Sequence, residues 1–150
     1  MELLSLLEKI AEEDGIQKRV VGGVILDDCG RYLILSRKSD DFMGGIDEIP
    51  SGGVEPAESL IDALKREIKE ETNLDVNKAS SYLGSFDYLS GSGKKSRQFN
   101  FLVEIKNVDN VILTEHSEYK WQTIDECNSN NKITTKTLAT LNIANFNKLS

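Results

Sequence analysis

The 150-residue sequence is short of several things, and each shortage excludes something. It has two cysteines, Cys29 and Cys127, in no CxxC pair, so it offers no disulfide framework. Two free thiols are expected, and with them a cytoplasmic location. It has one histidine, His116, which without a partner is expected to be structural. No apolar run approaches the ~18 residues of a membrane span. It is short of positive charge: 18 Lys+Arg against 25 Asp+Glu leave −7. That balance argues against coating a nucleic acid polymer, which needs Lys and Arg on one face. A small phosphate-bearing ligand is not excluded, because a bound cation inverts the local field. The N-terminal MELLSLLEKIAEEDG lacks a basic region and a cleavage site, and its apolar spacing predicts a helix over 1–15.

What the chain does have is consistent with one domain spanning 1–150. Residues 20–28 form a β-branched run that ends in a turn at Asp28-Cys29-Gly30, and 31–38 alternate well enough for a second strand. The two are expected to pair as a hairpin. Both prolines, Pro50 and Pro56, and four of the eleven glycines fall in DDFMGGIDEIPSGGVEPAES. Residues 59–72 read as helix. Residues 80–90 and 96–106 alternate around GSGKK, which predicts a second hairpin. A strand is expected at 119–124. A helix over 134–149 closes the chain, with Leu138, Leu141, Ile143, Phe146 and Leu149 as its apolar positions. Strands and helices interleave with hairpins, so the predicted class is α+β with a mixed sheet.

One helix violates its own pattern. At about 100° per residue, Leu60, Leu64, Ile61 and Ile68 share a stripe, while Asp62, Lys65 and Lys69 take the far side. Glu67 and Glu71 nevertheless fall on the line of Leu60 and Leu64, where an amphipathic helix would be apolar. Glu70 flanks them. Like charges at i, i+4 repel, and anions near a helix C-terminus oppose its dipole. A helix end projecting into water would tolerate this. A cation joining the three acids would explain it better, and all-oxygen ligands suit Mg²⁺ or Mn²⁺. Upstream, Pro50-Ser51-Gly52-Gly53 lets backbone approach a ligand or metal closely, and Glu58 sits at the helix start.

These residues resemble the box of the Nudix hydrolase family, G-x5-E-x7-R-E-U-x-E-E-x-G-U, with U bulky and apolar. Gly52, Glu58, Arg66, Glu67, Ile68, Glu70, Glu71 and Leu74 match over 52–74. Asn73 stands where the family has glycine, and Asn is the next-best residue for a left-handed helix cap. The resemblance implies an α/β/α sandwich around a mixed sheet. It also implies a metal-dependent pyrophosphohydrolase acting on a nucleoside diphosphate linked to another group. Glu67, Glu70 and Glu71 are then the metal ligands, with a backbone carbonyl of Ser51 or Gly52 as a further one. Glu67 is also the candidate base, and Arg66 orients the acids. Gly53, in the lead-in loop, is expected to bind substrate.

Outside the box, Arg37 ends a strand beside the expected site, and resemblance to MutT-like members implies a substrate contact there. Arg97 begins an alternating strand and is a second candidate contact. The family often carries an extra acid in a late loop, for which Glu115 is the first choice and Glu118 the second. Phe99 and Phe101 are expected in the core, and Trp121 is expected to pack. Tyr82, Phe86 and Tyr88 share one strand face by simple alternation. The favoured substrate is a (deoxy)nucleoside triphosphate, an oxidised one such as 8-oxo-dGTP included, cleaved to the monophosphate. An ADP-ribose or dinucleotide pyrophosphatase is the rival, and a non-catalytic nucleotide-sensing module the reading from another class. No membrane partner is expected. The oligomeric state is open, a homodimer included.

Overall fold

The computed structural model describes residues 2–41 and 43–148. Among these are seven strands in two sheets and four helices. Strands β1 (Lys18–Ile25), β4 (Ser51–Gly53), β5 (Val76–Leu89) and β6 (Lys95–Ile105) form one sheet in the order β4-β1-β6-β5. Strands β2 (Tyr32–Arg37), β3 (Asp47–Glu48) and β7 (His116–Gln122) form the other in the order β3-β2-β7. The β1–β6 pair is parallel and the remaining pairs antiparallel, so the first sheet is mixed as expected.

The expected hairpin of the first two strands does not form. They share only the isolated bridge Leu26–Tyr32 across a turn in which Asp27 accepts from the Cys29 and Arg31 backbones. Beyond that bridge they diverge into different sheets. The reason is burial on both faces. Leu33 and Leu35 of β2 enter one core while Tyr32 and Ile34 enter the other. A strand with two apolar faces needs flanking strands and covering helices on both sides. The second hairpin, β5–β6, forms as read, although β5 starts earlier, at Val76.

Helices α1 (Glu2–Glu13) and α2 (Leu60–Thr72) cover one core, with Leu60, Leu64 and Ile68 packed against Val21, Phe99 and Phe101. Helices α3 (Ile124–Asn128) and α4 (Thr135–Lys148) cover the other, through Cys127, Leu141 and Ala144. The result is the α/β/α sandwich. The short helix α3 was not expected; a Thr123–Glu126 capping box builds it. Leu149, read as the last apolar position of the closing helix, lies outside the described residues. No helix among the described residues is long and apolar enough to cross a membrane.

Candidate active site

Helix α2 is well delimited. The Ser59 side chain accepts from the Asp62 N–H at 3.1 Å, capping its start. Asn73 ends it in the left-handed region at φ 68°, with its N–H donating to the Lys69 carbonyl at 2.9 Å. Asn73 therefore makes the left-handed cap expected of it. These boundaries place Glu67, Glu70 and Glu71 in the last two turns.

The line of acids faces the protein, not open water. Glu71 is 8 % exposed, and its Oε1 accepts from the Ser51 N–H at 2.9 Å. Gly52 lies under Glu67: a Cβ at that position would overlap the Glu67 carboxylate. Only glycine lets β4 and α2 come this close. Glu70 stays exposed.

Arg66 is the hub. Its Nε and Nη2 each donate to Glu58 at 2.8 Å, a bidentate pairing. Nη2 also donates to the Gly53 carbonyl at 2.8 Å, and Nη1 donates to Glu67 at 2.7 Å and to Glu70 at 3.3 Å. One guanidinium thus ties the lead-in strand and helix start to two of the acids. The hydrogen bonds from Arg66 hold the Glu58 carboxyl down at about 2. The same partners push the guanidinium above its ordinary value. Gly53, expected to bind substrate, has its carbonyl committed to Arg66 and pairs with Val20.

Glu71 and Glu67 shift the other way. Burial raises Glu71 to about 9; Glu48, Glu67 and Glu115 add to this through like charge, while the Ser51 N–H opposes it. Burial also raises Glu67, opposed by Arg66 and reinforced by Glu70 and Glu115. Three acids whose charges are mutually costly gather where one cation would relieve all of them. The donors are hard oxygens, so the set fits a divalent cation such as Mg²⁺ or Mn²⁺. As they stand, no three acid, thiol or imidazole groups among the described residues are arranged to hold a metal ion. Arg66 takes Glu67 and Glu70, and the Ser51 N–H takes Glu71.

The loop that leads to Glu115 packs on α2. The Thr114 hydroxyl donates to the Glu70 carbonyl at 2.9 Å and the Ile112 N–H to the Thr72 carbonyl, docking the loop on α2. Exposed Glu115 follows, and its charge acts on both Glu67 and Glu71. Glu118 is exposed on β7 opposite Ser36.

Arg37 also lies beside the acids. It lines a cavity of about 320 Å³ together with Glu48, Ser51, Phe86, Tyr88 and Gln98. Its Nε donates to Glu48 Oε2 at 3.0 Å. The same oxygen accepts from His116 Nε2 at 2.8 Å, and His116 is buried with Nδ1 unpartnered. Sequence reasoning passed over Glu48. Its one signal was an acid immediately before the Pro-Ser-Gly-Gly loop, on a strand too short to show a period.

Arg97 is not brought to this cavity. It lies on the other face of β6 from Gln98, donates in bidentate fashion to Asp87 at 2.7 and 2.9 Å, and pairs with Asp14 at 2.9 Å. It anchors the end of α1, not the cavity wall. The aromatic trio also divides. A register shift between Tyr82 and Gly84, with Gly84 at φ 98°, breaks the alternation. Tyr82 meets Phe101 at 5.4 Å over the α2 core, while Phe86 and Tyr88 face the cavity. Phe99 and Phe101 are buried, and Trp121 packs against the same core, as expected.

The family model for the NUDIX domain matches residues 16–141. An 8-oxo-dGTP diphosphatase of Proteus vulgaris is 36% identical over 61 residues, 41% of this chain and 54% of that protein. A dihydroneopterin triphosphate diphosphatase of Escherichia coli (strain K12) is 27% identical over 129 residues, 73% of this chain and 81% of that protein. An ADP-ribose pyrophosphatase of Methanocaldococcus jannaschii is 41% identical over 66 residues, 44% of this chain and 37% of that protein. The match thus spans only about half of the first relative and a smaller share of the third. The crystal structure of a MutT protein from Methanosarcina mazei Go1 superposes with a TM-score of 0.76 at 25% identity, covering 87% of this chain and 95% of that one.

Proposed function

We propose, from the premise that this chain belongs to the Nudix hydrolase family, that it hydrolyses a phosphoanhydride bond of a nucleoside triphosphate to the monophosphate. The observation that carries the reading is the buried Glu71 beside Glu67 and Glu115, set against a Gly52 cradle next to Ser51 on the rim of a cavity of about 320 Å³. A triphosphate is preferred because two of the relatives, the dihydroneopterin triphosphate diphosphatase and the 8-oxo-dGTP diphosphatase, act on one. The ADP-ribose relative keeps a nucleoside diphosphate sugar as the second reading.

Glu67, Glu70 and Glu71, with a backbone carbonyl of Ser51 or Gly52, would hold a divalent cation, Mg²⁺ or Mn²⁺. That cation supplies neutralisation of phosphate charge and an acidified water. The chain's own residues do the rest. Arg66 holds Glu67 and Glu70 in place through its fork on Glu58. Ser51 N–H orients Glu71. Glu67, raised from its ordinary value by burial, is a base suited to take the proton of the attacking water, and Glu115 is the alternative. As water oxygen bonds to phosphorus, the phosphoanhydride P–O bond breaks and the diphosphate departs. Arg37 sits where the cavity meets the acids and would contact the phosphates. Two unpaired cysteines fit a cytoplasmic protein.

The test is a substrate panel with product identification: nucleoside triphosphates and their oxidised forms, ADP-ribose, and diadenosine polyphosphates, with and without Mg²⁺. Monophosphate and pyrophosphate from a triphosphate, lost in Glu67→Gln, is the expected result. Binding without turnover of any member would favour the sensing module instead.

A further inference from the structure

The cavity beside the acids holds a built polar floor that the hydrolysis itself does not use. Gln98 is 6 % exposed and Asn100 is fully buried, side by side on one face of β6. Asn100 Nδ2 donates to the carbonyls of Gly84 and Gln98, which leaves its Oδ1 as an acceptor. Gln98 Nε2 donates to that Oδ1 at 2.8 Å. The amide of Gln98 is therefore fixed with nitrogen toward Asn100 and oxygen the other way. Gln98 Oε1 takes no hydrogen bond among the described residues, and it is not sealed off as His116 Nδ1 is. Gly22 on β1 makes this arrangement possible, because a Cβ there would overlap both amides.

The walls above this floor are flat and apolar. Phe86 is the cross-strand neighbour of Gln98, and Tyr88 follows with its ring 6.2 Å from that of Phe86. Met43 and Leu89, both exposed, stand at the mouth. Arg37 and Glu48 lie on the same cavity, toward Ser51 and the box acids. A ligand with a planar ring at one end and phosphates at the other matches this polarity.

We infer that Gln98 is a specificity-determining residue: its carbonyl oxygen accepts from a ring N–H of the substrate base, and Phe86 and Tyr88 pack on the ring. Bases with a ring N–H, as in oxopurines and pterins, are then favoured over rings that carry only acceptors. A buried acceptor left unpaired by the wrong ring is what discriminates. This inference rests on the nucleotide-hydrolase reading for its substrate but concerns only the base.

The experiment compares inosine triphosphate, which has a ring N–H, with purine riboside triphosphate, which has none. Wild type is expected to favour the former by about tenfold or more in kcat/KM, chiefly through KM. Gln98→Leu is expected to bring the ratio near one, with KM rising for inosine triphosphate and little changed for purine riboside triphosphate. Should that variant fail to fold, Phe86→Leu serves: KM rises for both nucleotides and is unchanged for inorganic tripolyphosphate. Titration calorimetry with the non-hydrolysable methylene analogues of the same pair reads binding alone. Hydrolysis with no preference between the two rings, or a preference that survives Gln98→Leu, overturns the inference and leaves the hydrolase reading standing. Discriminating binding without hydrolysis overturns the hydrolase reading and keeps this one. Neither binding nor hydrolysis overturns both.

Discussion

Glu71→Gln is the perturbation whose outcome follows most directly from the geometry. Glutamine keeps an oxygen for the Ser51 N–H and removes the charge. In the metal-free protein burial holds the Glu71 carboxyl near 9 against its ordinary 4.5, so the folded state binds a proton that the unfolded chain releases. Between those two values stability falls as pH rises. Each pH unit is worth about 1.4 kcal/mol, so at pH 8 the ceiling is about 5 kcal/mol. Relaxation and water entry bring the working figure to about 3 kcal/mol, since idealised burial costs overstate real ones. For a chain of this length that is about 6–12 °C in Tm. The assay is thermal unfolding in chelator from pH 5 to 9, repeated with Mn²⁺. Wild type is expected to lose stability toward pH 9, with a shallower slope in Glu71→Gln. A small slope persists there because Glu67 is raised as well. Carboxylates held low, such as Glu58 and Asp87, act below pH 4.5 and leave this window alone. Mn²⁺ should stabilise wild type at pH 8 and leave the variant nearly unmoved. Parallel pH curves in chelator, or equal Mn²⁺ stabilisation of both proteins, would refute the buried-charge argument.

Three further outcomes follow from named contacts. Gly52→Ala inserts a methyl where the Glu67 carboxylate lies, so kcat should fall by about 100-fold with helical circular dichroism retained. A variant of full activity would show that Glu67 works from another position. Arg66→Lys loses the fork that joins Glu58, Gly53 and Glu67, and kcat should drop at least about tenfold with a smaller change in KM; steady-state kinetics checks this. Asn73→Ala puts a Cβ-bearing residue without a stabilising side chain at φ 68° and should cost about 1–2 kcal/mol in urea unfolding, whereas Asn73→Gly should be near neutral.

Local chemistry was legible wherever neighbours in sequence are neighbours in space. Seven residues of helical spacing put Glu67 and Glu71 on the apolar line of α2, and the structure buries that line against β4. The Asn73 cap, the Ser51–Gly53 lead-in and the Arg66 hub all lie within one segment of 24 residues, 51–74, and the roles of Arg66 and Asn73 were expected from the family resemblance. Glu115 was expected by analogy alone; its loop docks on α2.

What pattern could not reach was pairing between distant strands and the direction of single side chains. The first two strands looked like a hairpin because the turn between them is tight, yet each is buried on both faces and takes other partners. Arg97 looked free to meet a ligand; Asp14 and Asp87, one of them far away in sequence, claim it. Tyr82 parted from Phe86 and Tyr88 because one bulge shifts the strand by a residue. Glu48 and His116 are 68 residues apart and meet on one carboxylate oxygen only through the β3-β2-β7 sheet. By itself, then, the sequence determined the acid-bearing helix and the line its acids take, since helical periodicity is a local property. Only the tertiary structure decided the cavity, its amide floor and the partners of the outlying charges, because those depend on which strands lie side by side.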